Sequence, residues 1–483
     1  MNKVLIFLGA ALSCLVAGFL VGILAFGPLQ ASTTASAVIA IIGLVVWTAL
    51  WSRIAQRGAR WGLFALPLLV FATLTVFSLW QMYSVGAFPP LNDDRLGNFD
   101  RLWSAIRDTY PYFDIKDVDW DEVYSRYRPQ IAAAPDDAAY FALIAAMLSE
   151  LDDGHTVLSN PYTPFTAWFG RLEDIEGQVV LMQPTEAAAA AGLARGDVIL
   201  RLNGQSVDEA VAALPPDLRN GSTPWGRRDT ALSNVFGIFG AATQLDVTYI
   251  NAAGETLALT LRPPEAQSSS APGGPTITGE LLESGYGYIR IPRFWEREGQ
   301  DLVAEFDTAL EALFDTPGII IDLRSNGGGN SVLSDRMAGR LLASTFVYGR
   351  DVWRQRLPQR LWWGYSEYTV LPRGRQYTGH VVLLIDATTA SSAEWFVVAL
   401  VDGGRAQTVG RTSTGSTGNP ITFLLPADGV ARFSSGDFRR IDGTRVEGLG
   451  IAPDVAVTWT LDDVRAGHDP DIAAAAAWLS AQP

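Results

Sequence analysis

The stretch from Val381 to Glu394, Val-Val-Leu-Leu-Ile-Asp-Ala-Thr-Thr-Ala-Ser-Ser-Ala-Glu, permits few folds. Its apolar run shows no polar alternation, so it reads as a strand covered on both faces of an α/β sheet. Small residues follow and lead into a helical pattern, which puts Ser391 at a strand-to-helix junction. Open α/β sheets bind their ligands there, beside the unpaired N–H groups of the first helical turn. A serine so placed suits attack on a carbonyl. Ser391 to Glu394 also fits the capping box, in which a serine caps a helix and a glutamate reaches back. This stretch alone supports both readings.

A second buried strand, Gly318–Leu323, runs into Arg324-Ser-Asn-Gly-Gly-Gly-Asn330 and a helix over Val332–Leu342. With a strand at Tyr286–Ile291 and a 3.6-period helix at Leu302–Phe314, the order predicts parallel strands with right-handed crossovers. The glycine run is not a phosphate loop, because no lysine follows it. Glycines let bare N–H groups approach a ligand, so Gly327 or Gly328, with the Ser392 amide, could form an oxyanion hole.

Length and charge bound the rest. A chain of 483 residues exceeds one hydrophobic core. Residues 1–87 hold Lys3, Arg53, Arg57 and Arg60 and no acid, which leaves 32 basic against 51 acidic groups in the remaining 396 residues, a net of −19. That balance argues against nucleic acid as a partner. Three apolar segments, near 4–26, 36–52 and 62–86, are each long enough to cross about 30 Å of hydrocarbon. The arginines between the second and third place the amino terminus in the cytoplasm and everything after Gly86 on the far side of a bacterial-type inner membrane. The first segment is longer than a signal-peptide core and reads as an uncleaved anchor. Cys14, the single cysteine, lies mid-span, so no disulfide forms within the chain.

Beyond the spans, Phe99, Leu102, Trp103, Ile106 and Tyr110 recur at helical spacing. Two further helices start at Asp119 and Asp136, each with aspartate as cap. This helical cap ends in Leu151-Asp-Asp-Gly-His-Thr156. Of three histidines, His380 and His468 read as structural or exposed, and a histidine after an Asp-Asp-Gly turn is ordinarily a surface residue. For acyl transfer near neutral pH, however, imidazole has the fitting pKa, and His155 is the leading candidate. Residues 165–262 read as a β-rich module with a strand at Gln178–Met182, a short helix at Glu186–Ala191 and a hairpin joining Leu245–Ile250 to Thr256–Leu261. Pro215–Gly240 finds no place in it. Residues 263–275, rich in Pro, Ser and Gly, read as a linker. Phe346–Tyr368, with Trp353, Trp362, Trp363 and Tyr365 among four arginines, reads as an edge hairpin packing its aromatics on the core. The sequence contains no metal-ligand cluster and calls for no cofactor.

The block "GLxxGDvIlrlNGqsV" at 192–207 resembles PDZ domains, which implies peptide capture by strand addition beside a carboxylate-binding loop at Phe169, Gly170, Arg171 and Leu172. With Asp152-Asp-Gly-His-Thr156, Asp322-Leu-Arg-Ser-Asn-Gly-Gly-Gly329, Thr389-Ala-Ser-Ser-Ala-Glu394, Gly415-Ser-Thr-Gly418 and Gly448-Leu-Gly-Ile-Ala-Pro-Asp454, it stands in the order seen in carboxy-terminal processing peptidases and the tricorn protease core. Over residues 96–462 the chain resembles that family. The resemblance implies an α/β, crotonase-like peptidase core (277–462) with a helical cap (96–162), an inserted PDZ-like β domain (163–262) and a linker (263–276). A three-helix membrane anchor (1–87) and a tail (463–483) flank these parts. It implies Ser391 as nucleophile and the amides of Gly327 or Gly328 and of Ser392 as oxyanion donors. Ser–Lys members carry a lysine where this chain has Ser416, and the only lysines here are Lys3 and Lys116, so a Ser–Lys dyad is set aside. The tricorn-like branch implies His155 as base and Glu447 as the carboxylate that orients it; a solvated loop glutamate is the alternative, and Asp442 is nearby. The expectation is a membrane-anchored, extracytoplasmic serine endopeptidase acting on proteins or peptides. Its rival is a non-catalytic peptide- or ligand-binding protein that keeps the fold.

Overall fold

The computed structural model describes residues 93–162, 165–239, 242–263, 275–357 and 360–482. The three apolar segments, Cys14 and most of the linker lie outside them. Among the described residues no helix is long and apolar enough to cross a membrane.

The cap consists of α1 (Arg95–Thr109), α2 (Trp120–Ala132) and α3 (Asp137–Ser149). Asp94, Asp119 and Asp136 accept hydrogen bonds from the first-turn amides, which leaves fewer orphan donors at each start. Phe99, Leu102 and Ile106 form one buried stripe of α1 and meet Tyr140, Phe141, Ile144 and Leu148 of α3. The same cluster takes in Phe423, Ala431 and Phe433 from much later in the chain. These lie on β17 (Pro420–Leu424) and β18 (Val430–Ser434), and β1 (Val157–Ser159) pairs antiparallel with β18. The cap is therefore fastened to the core by both apolar packing and a ladder.

The β module contains β2 (Phe165–Trp168), β3 (Gly170–Ile175), β4 (Gln178–Pro184), β5 (Val198–Leu202), β6 (Gln205–Ser206), β7 (Gly237–Phe239), β8 (Leu245–Ile250) and β9 (Thr256–Leu261). Its main sheet runs β3-β4-β5-β8-β9, antiparallel throughout, with β3 at one edge. Short helices α4 (Glu186–Ala190) and α5 (Val207–Ala213) fill the turns. The segment the sequence left unplaced forms a 3-10 turn at Pro216–Arg219, α6 (Pro224–Val235) and β7. Leu232, Val235 and Phe236 there pack onto Phe169, Leu172 and Leu181, so the insertion completes this module's core and lays α6 beside β3.

The α/β core has a six-stranded sheet ordered β10 (Thr278–Leu281), β11 (Gly287–Arg290), β12 (Gly318–Asp322), β15 (His380–Ile385), β16 (Gln407–Gly410) and β20 (Val455–Ala456). All neighbours from β11 onward are parallel, with Ile320 opposite Val382. One face packs under α7 (Leu302–Ala312), α8 (Ser331–Ala338) and α9 (Ser392–Asp402) through Ile319, Ile321, Leu383 and Ile385. The other face, with Ile320, Val382 and Leu384, is covered by Ala475 and Leu479 of α11 (Pro470–Ser480), which follows α10 (Leu461–Ala466). Burial on both faces accounts for the unbroken apolar runs. The hairpin of β13 (Phe346–Leu357) and β14 (Arg360–Val370) pairs with β19 (Gly436–Arg440), and Tyr348 and Tyr368 pack with Trp395 and Phe438.

Candidate active site

Ser391 stands at the end of the β15 loop, directly before α9, with φ 58 and ψ −127. A side-chain-bearing residue rarely holds that conformation, which costs about 1–3 kcal/mol and persists only where the surroundings impose it. Here Glu394, wholly buried, imposes it. Its Oε2 accepts from the Ser391 amide (3.2 Å) and the Ser416 amide (3.0 Å), while its Oε1 accepts from the Gly415 amide (2.7 Å) and the Ser413 hydroxyl (2.6 Å). The glutamate half of the capping box is thus present, and it also ties the nucleophile turn to the 413–416 loop. The Ser391 amide further donates to the Ser416 carbonyl at 2.8 Å.

The glycine loop after β12 meets this turn. Gly328 has φ +91, and a Cβ there would lie 2.6 Å from that of Ser391, so only glycine fits. Its own amide donates to Asn326 Oδ1 at 2.9 Å. Of the two alternatives for the oxyanion donor, Gly328 is thereby engaged, because the loop satisfies its buried N–H internally. Among the described residues no acceptor takes the Gly327 or Ser392 amide. The Ser392 hydroxyl donates to the Gly329 carbonyl at 2.6 Å and closes the two loops on each other.

His155 reaches the same place from the segment after α3. Its Nδ1 lies 2.9 Å from Ser416 Oγ and accepts from the Gly418 amide at 3.3 Å. An amide only donates, so the network assigns the neutral ring's proton to Nε2. Residue 416, the lysine position of Ser–Lys relatives, links nucleophile and imidazole through its carbonyl on one side and its hydroxyl on the other. Burial, the largest effect, holds the His155 pKa below its usual 6.5, with Arg432 acting the same way and Asp153 opposing. The ring is therefore neutral, as a base must be, at pH 7.

Glu447 is buried, but it does not touch the imidazole as expected. Its Oε2 accepts from the Thr417 amide at 2.8 Å, so it fixes the very loop whose neighbouring residues hold His155. Burial first, then the nearby Asp153 charge, push its pKa well above the ordinary carboxylate range, while Lys116 draws it down. Lys116 Nζ lies 3.7 Å from Glu447 Oε1. Sequence reasoning placed Lys116 in the cap and passed over it; the signal was its rarity, one of two lysines in the chain. Asp442 is exposed and bonded to Thr444, away from this cluster.

Residues 169–172 span the entry to β3. Phe169 and Leu172 are buried in the β-module core, and Gly170 has its would-be Cβ position occupied by the Gln183 carbonyl. Arg171 turns toward the catalytic core instead. It donates to Asp386 (2.7 Å) and Ser325 and pairs with Glu173 (2.7 Å). Asp386, the first residue past β15, is buried, so loss of its arginine would leave that charge unpaired. Among the described residues no group of His, Cys, Asp and Glu could hold a metal ion.

Comparison with known proteins agrees with this geometry. The family model for peptidase family S41 matches residues 285–457, and that for the tricorn protease C1 domain matches residues 91–149. The chain is 25% identical over 387 residues to carboxyl-terminal-processing peptidase 3, chloroplastic, of Arabidopsis thaliana, an alignment covering 75% of this chain and 68% of the relative. It is 25% identical over 291 residues to the carboxy-terminal-processing protease of Bartonella bacilliformis, covering 58% of each. The structure of mature CPAF complexed with lactacystin superposes with a TM-score of 0.64 at 14% identity, over 80% of this chain and 97% of that one, and shows the shared fold. Residues 285–457 thus match the S41 peptidase family and residues 91–149 the tricorn C1 domain, and the chain is a serine-type peptidase similar to the carboxy-terminal processing proteases.

Proposed function

We propose that Ser391 attacks the peptide carbonyl while His155 takes its proton and later passes it to the leaving amine. Glu447 acts one step removed, by fixing the 416–418 loop that positions the imidazole. The amides of Ser392 and Gly327 receive the oxyanion. In the arrangement seen Nδ1 accepts and Nε2 carries the proton, so to take the serine proton at Nε2 the ring first moves its own proton to Nδ1, which then donates to Ser416 Oγ. The observation that carries this reading is the strained Ser391 turn, held by Glu394 and joined to His155 through residue 416. The binding-protein rival loses its footing, since a serine that only capped a helix would not need the left-handed conformation.

Proteins are the substrates of such peptidases, and we place carboxy-terminal segments first among them. Edge strand β3 has α6 alongside and no strand on its outer side among those described, which suits strand addition by an extended peptide. The apolar segments of residues 1–87 would anchor the enzyme in a bacterial-type inner membrane, with the catalytic domains outside the cytoplasm. Carbonate-washed membranes carrying the full chain should cleave a reporter bearing an unstructured apolar carboxy-terminal tail. The Ser391→Ala chain should pellet equally and cleave nothing. Release of the chain by carbonate would contradict anchoring, and equal cleavage of a tail-less reporter would contradict tail recognition.

A further inference from the structure

Glu447 sits in an unusual charge environment. The groups that face it are Lys116 from the turn between α1 and α2, Asp153 from the segment after α3, Tyr110 and Tyr112, Ser222 from the β module and the Thr417 amide. Asp153 is wholly buried and accepts from the His155 amide (2.9 Å) and the Thr156 hydroxyl (2.9 Å). Both tyrosines titrate well above 10, through burial first and the carboxylates next, and so stay neutral. Arg445, two residues before Glu447, is engaged by Asp437 and Asp114. The cation that reaches Glu447 is Lys116. Its side chain is 10% exposed, and its Nζ lies 3.7 Å from Oε1 while donating to the Asp152 carbonyl at 2.6 Å. Oε1 itself is buried and accepts no hydrogen bond among the described residues.

We propose that Lys116 is a positioning residue of the active site: its ammonium faces the buried Oε1 of Glu447 and favours the carboxylate that holds Thr417, and thereby the Ser416–Gly418 grip on His155. The inference rests on the catalytic reading given above. Its physical basis is charge balance. Lys116 is the countercharge at 3.7 Å for the Glu447 carboxylate, against the neighbouring Asp153. Without Lys116 the buried Glu447 loses that countercharge and its protonated form is favoured further. A protonated Glu447 loses the charge-assisted bond to the Thr417 amide. The residue type fits as well. An ammonium on a flexible stem brings a compact point charge to a buried carboxylate oxygen, and this chain, with 36 Lys and Arg of which two are lysine, has one of them here. The cap thus supplies a working part of the site.

The test is the pH dependence of kcat/KM for an unstructured peptide, measured on the detergent-solubilised full chain. Lys116→Met should move the acid limb to higher pH by roughly 1–2 units. It should lower kcat at pH 7 roughly tenfold, recover toward wild type at alkaline pH, and leave KM nearly unchanged. Lys116→Arg should restore much of the neutral activity, and Lys116→Gln serves if the methionine variant does not fold. Removing a cation would also raise the His155 pKa, so the same change is made in Glu447→Gln, where the limb should no longer move. An unchanged limb in Lys116→Met, a loss equal at every pH, or a shift that persists in the Glu447→Gln background would overturn the inference. Wild-type activity in both Glu447→Gln and His155→Ala would instead sink the catalytic reading beneath it.

Discussion

Glu394 shows what one buried carboxylate does at this site. Burial pushes its pKa up to about 7, against the pull of the Ser413 hydroxyl and of the Gly415, Ser416 and Ser391 amides. A folded pKa above the usual 4.5 means that its contribution to stability is fully present below about 4.5 and is lost as pH rises through about 7. Glu394→Gln keeps the shape but turns an NH2 group toward backbone N–H donors. The expected result is a loss of about 2–3 kcal/mol in urea unfolding at pH 7, a weaker decline of stability between pH 4.5 and 7 than in the wild type, and a fall in kcat of about a hundredfold as the Ser391 turn relaxes. Wild-type kcat in a folded Glu394→Gln would contradict the role given to it. The sequence already carried this pair as a capping motif. It could not show the two amides from residues 415 and 416, because they arrive from a segment some twenty residues downstream.

Among the elements, β3 makes the connection that the sequence concealed. Read as a PDZ-like strand, Phe169 to Leu172 pointed to a ligand loop, but Arg171 bridges from β3 to Asp386 at the end of β15 and to Ser325 in the loop before the oxyanion glycines. Burial works against the Asp386 charge, and Arg171 and Arg411 nevertheless hold its pKa well below the ordinary value, so this stabilisation is present above pH 4 and lost as pH falls below it. Arg171→Met leaves Asp386, 1% exposed, without its main partner and should cost about 3–5 kcal/mol in urea unfolding. Pairing it with Asp386→Asn should return a large part of that loss. Additive effects of the two substitutions would show that the bridge contributes nothing of its own. Helix and strand positions, by contrast, were legible from apolar period and caps, as at Asp119, Asp136 and the buried run of β12, since those signals are local.

Across the whole molecule, the site exists only where three distant parts of the chain meet. The cap brings Lys116 and His155, the sheet brings Ser391 and the glycine loop, and the segment before β20 brings Glu447. Motif order along the chain pointed to Ser391 and His155, because each lies in a short run with its own turn chemistry. It did not reveal that residue 416 bonds to both or that Glu447 accepts from the Thr417 amide, since both contacts depend on packing between segments more than 250 residues apart in one case and 30 in the other. The central claim is that these parts assemble one serine-hydrolase site with Ser391 at its centre. Labelling of the full chain in detergent with a fluorophosphonate probe tests it most directly, comparing wild type with Ser391→Ala, Ser416→Ala and His155→Ala. The account predicts no labelling of Ser391→Ala, a loss of at least about a hundredfold in rate for His155→Ala, and slower but definite labelling of Ser416→Ala. Labelling that survives in Ser391→Ala and disappears in Ser416→Ala would move the nucleophile to the hydroxyl nearest His155 and contradict the account.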